Sequence, residues 1–276
     1  MASRTARLRC SYAEGRTSGL WNRYTVCLSC FFCHLSFYRE RSNLGIELEN
    51  LRVTPEEIDY LSKNCTYLNE AYLSYLTTFK LDPKNQIDIK FTPEKDTGSD
   101  QDKGDLEYTI KGLWLDTILY EIPLLALTSQ AYFMFIDKDW DYHYQEEKAY
   151  RKGCELIENG CIFSEFGSRR RRDYHTQDLV MKGLVRAGNE GKEKGWKGAF
   201  SGTSNVHFAV KYGVAPIGTV AHEWFMAVAA ITQDYRHVNE IALRYWLGCF
   251  GQGVRSSYFG QVPLYANRQV RCFVSR

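Results

Sequence analysis

Three short segments carry side chains that could bind an anionic ligand. The first, at 163–172, reads FSEFGSRRRR and joins an aromatic ring at Phe166 to a run of four arginines that begins at Arg169. Guanidinium groups match the geometry of carboxylate and phosphate oxygens. This segment therefore predicts an anion site beside an aromatic wall. The alternative is a solvated basic run or a nuclear-localisation-like patch, since such runs are common.

The second segment is Gly202-Thr203-Ser204-Asn205, which opens a helix-forming stretch. The hydroxyl groups of Thr203 and Ser204 and the free amides of a helix N-terminus could hold an anion. Ordinary N-capping explains the same residue types equally well. Both interpretations stay open at this stage.

The third segment, at 218–224, reads GTVAHEW and carries His222 next to Glu223. A histidine can act as a nucleophile, a base or a phosphate acceptor. A lone histidine is more often structural, so His222 becomes a catalytic candidate only where the fold brings it to the other two segments.

The surrounding pattern alternates strands with helices and places each segment at the end of a strand. The predicted strands cover 161–166, 197–202 and 216–220, and the helices that follow them cover 176–187, 205–212 and 222–231. Successive βα units favour a parallel sheet with right-handed crossovers. Ligands bind such sheets at the carboxyl ends of the strands, so we expect the three segments to line one cleft.

The preceding part of the chain predicts a mixed α/β unit. Thr54-Pro55-Glu56-Glu57 has the form of a capping box, so a helix should begin there and run to about Ser62. Further helices are expected at 68–79, within 118–136 from about Pro123, at 140–158 and at 237–250, and paired strands at 86–91 and 106–114. Polar residues and Pro123 interrupt the most apolar stretch, which favours a buried helix over a membrane span.

Charge and cysteine content divide the chain further. The 276 residues carry 35 Lys and Arg against 33 Asp and Glu, a formal charge of +2 that argues against a dedicated nucleic-acid binder. Nine cysteines without paired spacing favour reduced thiols, in the cytoplasm or alternatively the nucleus. Basic residues concentrate at both ends and acidic residues in between. We therefore predict a basic segment at 1–45, an N-terminal α/β domain at 46–160, a partial α/β barrel at 161–252 and a basic tail at 253–276.

The first of these segments has several interpretations. Cys27, Cys30, Cys33 and His34 have the spacing of a metal or haem-attachment motif, but no second Cys/His pair follows, so we expect no metal site. Residues 1–38 also resemble a mitochondrial transit peptide, being rich in Arg and Ser and poor in acids. Because no clear helical or strand period is present, the alternative is that residues 1–45 are not genuine protein sequence, for instance a mistranslated exon or intron.

Four segments together resemble the nicotinate phosphoribosyltransferases in order and spacing. They are the first two segments, the third segment extended back to Pro216 so that it covers 216–224, and residues 114–125, which read WLDTILYEIPLL. Four motifs in register are a far stronger signal than any one of them. The resemblance covers residues 46–250 and neither end.

This resemblance implies a type II phosphoribosyltransferase, with an α/β domain packed on an incomplete α/β barrel and an active site completed across a homodimer. Such enzymes join nicotinate to phosphoribosyl pyrophosphate, forming nicotinate mononucleotide in NAD salvage, with ATP as co-substrate and Mg²⁺. The resemblance implies neither a nucleic-acid partner nor a membrane partner. The implied roles are phosphorylation of His222 by ATP, nicotinate contacts by Thr219 and Phe166, phosphate binding by Arg169, and substrate binding by Thr203 and Ser204.

The chain also departs from the family pattern at both ends. Residues 1–45 contain no match to the family helix whose tyrosine stacks on nicotinate, and no further barrel strands or Gly-Thr phosphate loop follow Gly253. A barrel with about three strands leaves sheet edges unpaired, so we predict low or no activity for this chain alone. The alternative function is a noncatalytic fragment that binds or regulates a full-length partner. A nucleic-acid tether formed by the basic ends ranks last, because the middle is acidic.

Overall fold

The computed structural model describes residues 7–13, 25–31, 37–38, 48–99, 102–220 and 222–250. Its strands are β1 (Arg7–Ala13), β2 (Thr25–Phe31), β3 (Phe37–Tyr38), β4 (Ile87–Pro93), β5 (Lys103–Ile110), β6 (Ile162–Glu165) and β7 (Ala199–Thr203). Its α-helices are α1 (Pro55–Asn64), α2 (Glu70–Thr78), α3 (Pro83–Gln86), α4 (Trp114–Thr117), α5 (Glu121–Phe135), α6 (Gln145–Glu158), α7 (Tyr174–Glu193), α8 (Val206–Tyr212), α9 (His222–Thr232) and α10 (Val238–Phe250). Short 3-10 turns at Ile118–Tyr120 and Ser168–Arg170 precede α5 and follow β6.

An antiparallel sheet with β5 at its centre forms the N-terminal part. β4 pairs with one edge of β5, from Ile87 opposite Ile110 to Pro93 opposite Gly104. β2 and β3 pair with the other edge, and β1 pairs with the far side of β2. Every second residue of β5 from Leu106 to Ile110 is buried, the period expected where one face of a sheet covers a core.

Helix α5 supplies the opposite side of that core. Leu124 and Leu125 pack in one cluster with Leu106, Tyr108 and Ile110 of β5. Residues 114–135 form the one described helical stretch that is long and apolar enough to cross a membrane. Its inner side chains are buried against the sheet, so the stretch is explained as a core helix, as the interrupted apolar run predicted.

Local signals account for the ends of several elements. Thr54 and Glu57 form the predicted capping box: the Glu57 amide donates to Thr54 Oγ1 at 3.2 Å and the Thr54 amide donates to Glu57 Oε2 at 2.9 Å. Helix α6 begins at Gln145, later than predicted, because Tyr144 has a left-handed φ of 59° that cannot continue a helix. The predicted strand 106–114 ends at Ile110, and Trp114 instead opens α4.

A parallel pair, β6 and β7, lies between helices in the C-terminal part. Ile162 is opposite Ala199 and Glu165 is opposite Thr203, with a register shift at Phe163 and Ser164. The predicted third strand at 216–220 is wrong as a strand: it is a single parallel bridge between Thr203 and Pro216. Proline has no amide hydrogen to donate to a ladder, which weakens this segment as a strand.

The two predicted end segments, 1–45 and 253–276, differ in how much of them the structure describes. Residues 1–45, where no element was predicted, contain β1, β2 and β3. The pairing of β2 and β3 with β5 is a long-range contact that local periodicity does not reveal. The predicted tail at 253–276 lies outside the described residues.

Candidate functional site

A buried carboxylate joins the turns that follow β6 and β7. Glu165, the last residue of β6, is 8% exposed. Its Oε2 accepts hydrogen bonds from Thr203 Oγ1 at 2.6 Å and from Gln177 Nε2 at 3.1 Å, and its Oε1 accepts one from the Gly167 amide. Buried carboxylates persist where their oxygens are satisfied in this way, so the three contacts fix the two turns to each other.

Ser168 forms a second link between the same turns. Its buried hydroxyl oxygen accepts from Gln177 Nε2 at 2.8 Å and from Asn205 Nδ2 at 2.9 Å. Asn205 also caps α8, because its Oδ1 accepts the Phe208 amide at 3.1 Å. The N-capping interpretation of the second segment therefore holds for Asn205.

The residues that lead into the third segment are tied to the second segment by backbone contacts. The Thr203 amide donates to the Ala215 carbonyl at 3.1 Å, and the Ile217 amide donates to the Thr203 carbonyl at 2.9 Å. Gly202 makes this approach possible: its φ is +143° and a Cβ added there would lie 2.0 Å from the Ala215 oxygen. Only glycine tolerates that conformation and that distance.

The predicted ligand-binding residues differ in exposure. Phe166 is 42% exposed, and Ser204 and Thr219 are exposed. Thr203 is fully buried, and its hydroxyl donates to Glu165 and accepts the Asn205 amide at 3.1 Å. Thr203 thus holds the site together in this structure, while Phe166, Ser204 and Thr219 are open to solvent.

The four arginines of the first segment have different surroundings. Arg169 pairs with Glu121 through Nη1 and Oε1 at 2.5 Å, whereas Arg170 is exposed. Arg171 donates to Gln177 Oε1 at 3.1 Å, and burial lowers its pKa. Arg172 lies over the rings of Phe133 and Trp140, a cation–π arrangement. The run is therefore not a uniformly solvated patch.

Helix α9 begins at His222, within the third segment. The side chains of His222 and Glu223 lie outside the described part of the structure. Two residues on, Trp224 stacks on Trp114 with ring centroids 6.1 Å apart and donates from Nε1 to the Ala242 carbonyl at 3.1 Å. The start of α9 is thereby held against the segment at 114–125.

All four segments of the resemblance therefore meet. Glu165 and Ser168 join the first to the second, backbone bonds join the second to the third, and Trp114 and Glu121 join the fourth to the rest. The residues described include no group of three or more His, Cys, Asp and Glu side chains that could hold a metal ion. The side chains of these segments that the structure describes include arginine, hydroxyl and aromatic groups.

Sequence analysis did not select Glu165 or Gln177 as site residues. A signal for Gln177 was present, because it lies on the buried face of α7 with Met181, Leu184 and Ala187. A polar side chain in the apolar phase of a helix needs a hydrogen-bond partner. That requirement points to a buried network, though not to its members.

Comparison with known proteins gives a consistent result. Residues 38–129 match the model of the nicotinate phosphoribosyltransferase N-terminal domain, and residues 161–256 match that of the nicotinate phosphoribosyltransferase family. A probable nicotinate phosphoribosyltransferase of Schizosaccharomyces pombe is 50% identical over 204 residues, which are 74% of this chain and 47% of the relative. Nicotinate phosphoribosyltransferase of Saccharomyces cerevisiae is 50% identical over 223 residues, 79% of this chain and 51% of the relative.

Solved structures agree with the sequence comparison. The crystal structure of a putative nicotinate phosphoribosyltransferase from Saccharomyces cerevisiae matches with a TM-score of 0.71 and 47% identity, covering 79% of this chain and 53% of that chain. The structure of the enzyme from Porphyromonas gingivalis matches with a TM-score of 0.63 and 29% identity, covering 76% and 49%. The chain spans about half the length of the relatives it matches. The α/β fold class of a type II phosphoribosyltransferase is confirmed, and the chain belongs to the nicotinate phosphoribosyltransferase family.

Proposed function

We propose that this chain carries the site at which nicotinate is joined to phosphoribosyl pyrophosphate to give nicotinate mononucleotide, a step in NAD salvage. The observation that carries the proposal is the hydrogen bonding of Glu165 to both Thr203 and Gly167. It brings an exposed aromatic ring, an arginine and a hydroxyl-bearing helix N-terminus to one edge of the parallel strands. Ligands of α/β proteins bind at that edge.

The proposed roles follow the exposed groups around this edge. Phe166 stacks on the pyridine ring, Thr219 contacts the nicotinate, and Ser204 binds substrate. Arg169 binds phosphate oxygens of the ribosyl donor, because a guanidinium pairs with phosphate through directed N–H bonds. Thr203 acts within the substrate site by holding the Phe166 turn through Glu165.

In the transfer step, the pyridine nitrogen of nicotinate forms a bond to C1 of the ribose, and the bond from C1 to the pyrophosphate oxygen breaks. Pyrophosphate leaves with the electron pair of that bond. Arginine near the leaving group stabilises the charge that develops on its oxygens. The aromatic ring of Phe166 orients the pyridine for this attack.

ATP is proposed as a co-substrate that phosphorylates His222 and releases ADP. Hydrolysis of the phosphohistidine then returns the histidine and inorganic phosphate. The added negative charge changes the electrostatics of the cleft while it lasts. Mg²⁺ is proposed to travel with the substrates' phosphates, which suits its preference for phosphate and water ligands over an all-protein site.

A homodimer and a cytoplasmic location, with the nucleus as the alternative, complete the proposal. The prediction of low activity for this chain alone is part of it. Within the described residues the parallel sheet has two strands and one bridge, so few strand ends contribute to the cleft. Such a cleft positions fewer of the groups that a complete barrel provides.

The test is incubation of the purified chain with nicotinate, phosphoribosyl pyrophosphate and Mg²⁺-ATP, with nicotinate mononucleotide measured by chromatography. Slow ATP-stimulated formation of the mononucleotide is expected. Rapid turnover would overturn the prediction of low activity. Absence of both product and nicotinate binding would overturn the function and favour a noncatalytic partner of a full-length enzyme.

The role of His222 has its own test. Incubation with γ-labelled ATP should give acid-labile labelling of the wild-type chain, and His222→Ala should abolish it. His143→Ala is the matched control, because His143 is exposed and belongs to none of the four segments. Labelling that persists in His222→Ala would remove the phosphohistidine assignment.

A further inference from the structure

We propose that Glu165 is a positioning residue, which sets the place of the Phe166–Arg169 turn by binding three donors from three elements. This rests on the proposed function only for its effect on nicotinate. The donors are the amide of Gly167 in the turn, the hydroxyl of Thr203 at the end of β7, and the side-chain amide of Gln177 in α7. Glu165 contacts no proposed reacting group and acts through the turn.

The position of Glu165 in the chain suits this role. Glu165 immediately precedes Phe166, so the direction of its side chain constrains the backbone from which the Phe166 ring projects. Glu165 is buried at 8% exposure while Phe166 is 42% exposed. Adjacent residues of an extended chain point to opposite sides. Anchoring Glu165 inward therefore turns the ring of Phe166 outward.

The turn at Gly167 packs directly against the Glu165 carboxylate. Gly167 lies so close to Glu165 that an added Cβ would be 2.6 Å from Oε1. The carboxylate thus occupies the space that a side chain at 167 would need, while it accepts the Gly167 amide. The Ser204 amide also donates to the Glu165 carbonyl at 2.9 Å, so the backbone and the side chain of Glu165 both fix the turn to β7.

The three donors around Glu165 require acceptors at both carboxylate oxygens. A carboxylate accepts at both oxygens, whereas a glutamine side chain offers one acceptor oxygen and an NH₂ group. In Glu165→Gln, the Gly167 amide and Gln177 Nε2 cannot both keep their hydrogen bonds to residue 165, because they bind different oxygens of Glu165 and glutamine has one acceptor oxygen. A buried donor without a partner is costly, and the exposed turn is the part that can move to relieve it.

The experiment compares wild type and Glu165→Gln by hydrogen exchange resolved to peptides, without any ligand. The expected result is at least about tenfold faster exchange in residues 165–170, with exchange in β4 and β5 unchanged. Unchanged exchange of this turn in the folded variant would overturn the proposal. Thr203→Val removes one donor and keeps a similar shape, so a smaller acceleration of the same peptide is expected even where Glu165→Gln fails to fold.

A double variant that exchanges the side chains of residues 165 and 177, the swapped pair, should restore the turn protection lost in Glu165→Gln. Glu165→Gln combined with Gln177→Glu again places one carboxylate against one amide, and the Arg171 donor then meets the carboxylate. We expect turn protection to return to within about threefold of wild type. Turn exchange in the swapped pair that stays as fast as in Glu165→Gln would overturn the pairing on which the proposal depends.

Measuring nicotinate binding beside hydrogen exchange distinguishes failure of the positioning role from failure of the proposed function. Glu165→Gln should raise the Kd or KM for nicotinate about tenfold, and the swapped pair should recover most of that loss. Wild-type chain that does not bind nicotinate, together with turn exchange that responds as expected, would refute the proposed function and support positioning. Unchanged turn exchange beside intact nicotinate binding would refute positioning alone.

Discussion

Arg169 and Glu121 form an ion pair in which Nη1 and Oε1 are 2.5 Å apart. The pair joins the turn after β6 to the first turn of α5, 48 residues earlier in the chain. Side-chain exposure is 39% for Arg169 and 11% for Glu121. Because a guanidinium carries five N–H donors, Arg169 can keep this pair and still bind a phosphate oxygen at its exposed side.

Arg169→Gln should therefore weaken the binding of phosphoribosyl pyrophosphate more than loss of the ion pair with Glu121 alone would. A charge-assisted hydrogen bond contributes about 1.5–3 kcal/mol, so we expect the KM for phosphoribosyl pyrophosphate to rise about 10- to 100-fold. Steady-state kinetics measures the change. The same variant loses the pair with Glu121, which calls for a control that loses only the pair.

Glu121→Gln is that control, because it removes the partner charge and leaves the guanidinium in place. It should raise the same KM less than about threefold. Both variants should shift the urea midpoint of unfolding by a similar small amount, since the pair is partly exposed. Equal changes of KM in the two variants would mean that Arg169 acts through the ion pair alone.

Trp224 offers a test of how the start of α9 is held. Trp224→Phe removes the Nε1 donor to the Ala242 carbonyl while keeping an aromatic ring opposite Trp114. We expect a loss of about 1 kcal/mol in the free energy of unfolding, because the buried carbonyl loses a partner. Labelling of His222 by ATP should fall as well, since α9 begins at that residue.

Trp196→Phe is the matched comparison, as Trp196 lies after α7 with Lys194 over its ring. It should leave labelling unchanged. A fall in labelling of the same size in both variants would indicate a general loss of folded protein. Urea unfolding followed by far-UV circular dichroism gives the stability of each variant.

Much of the architecture could be predicted from local sequence. The capping box at Thr54 and Glu57, the antiparallel strands at β4 and β5, and helices α5, α7 and α8 all carry signals within a few residues. Such signals fix where an element begins because the hydrogen bonds concerned are local. The convergence of the three segments at the strand ends was also predicted, since the ends of parallel strands meet at one edge, whereas the contact of the segment at 114–125 with them was not.

What could not be predicted depends on contacts between distant residues. Nothing near Thr203 indicates that its hydroxyl binds Glu165, 38 residues earlier, and the same holds for β2 beside β5. The strand predicted at 216–220 is reduced to one bridge because Pro216 cannot donate to a ladder. The roles of all six predicted site residues in ligand binding and catalysis stay predictions: Phe166, Arg169, Thr203, Ser204, Thr219 and His222.

Substitution of Gly202 should strongly reduce the free energy of unfolding. Gly202→Ala places a Cβ 2.0 Å from the Ala215 carbonyl oxygen at a φ of +143°, so the β7 end and residues 214–217 must separate. We expect a loss of about 3 kcal/mol or more in the free energy of unfolding. Gly248→Ala is the control, because it lies exposed inside α10 with nothing within 4 Å of the added Cβ.

The two glycine substitutions should change the stability of the protein in opposite directions. Alanine at an open helical position stabilises by up to about 1 kcal/mol relative to glycine, so Gly248→Ala should raise the urea midpoint. Gly202→Ala should lower it. A midpoint for Gly202→Ala at or above that of wild type would show that the contact between the two segments is not close in solution.

Asp178 gives the stability of the chain a defined dependence on pH. Its side chain is 8% exposed and lies 2.5 Å from Lys211 Nζ and 2.7 Å from the Tyr212 hydroxyl. Burial by itself raises the pKa of Asp178, but the hydrogen bonds from Lys211 and Tyr212 and the charges of Lys211 and Lys182 outweigh it and hold the pKa below its usual value. The ionised form is therefore favoured by folding.

The sign of the effect follows from that direction. A carboxyl group with a depressed pKa in the folded state contributes stability that is complete above its unfolded pKa, about 4, and is lost as the pH falls through the folded pKa. Asp178→Asn should be less stable than wild type by about 2 kcal/mol at pH 7. The difference should shrink between about pH 4 and lower values, because only wild type loses this contribution.

Urea unfolding at intervals from pH 7 to pH 3 measures this difference. Asp59→Asn is the control, because Asp59 pairs with Lys63 at 61% and 68% side-chain exposure, where an ion pair contributes little. Its difference from wild type should stay within about 0.5 kcal/mol at every pH. A gap between wild type and Asp178→Asn that is constant from pH 7 to pH 3 would show that packing at this position, and not ionisation of the carboxyl group, stabilises the contact between α7 and α8.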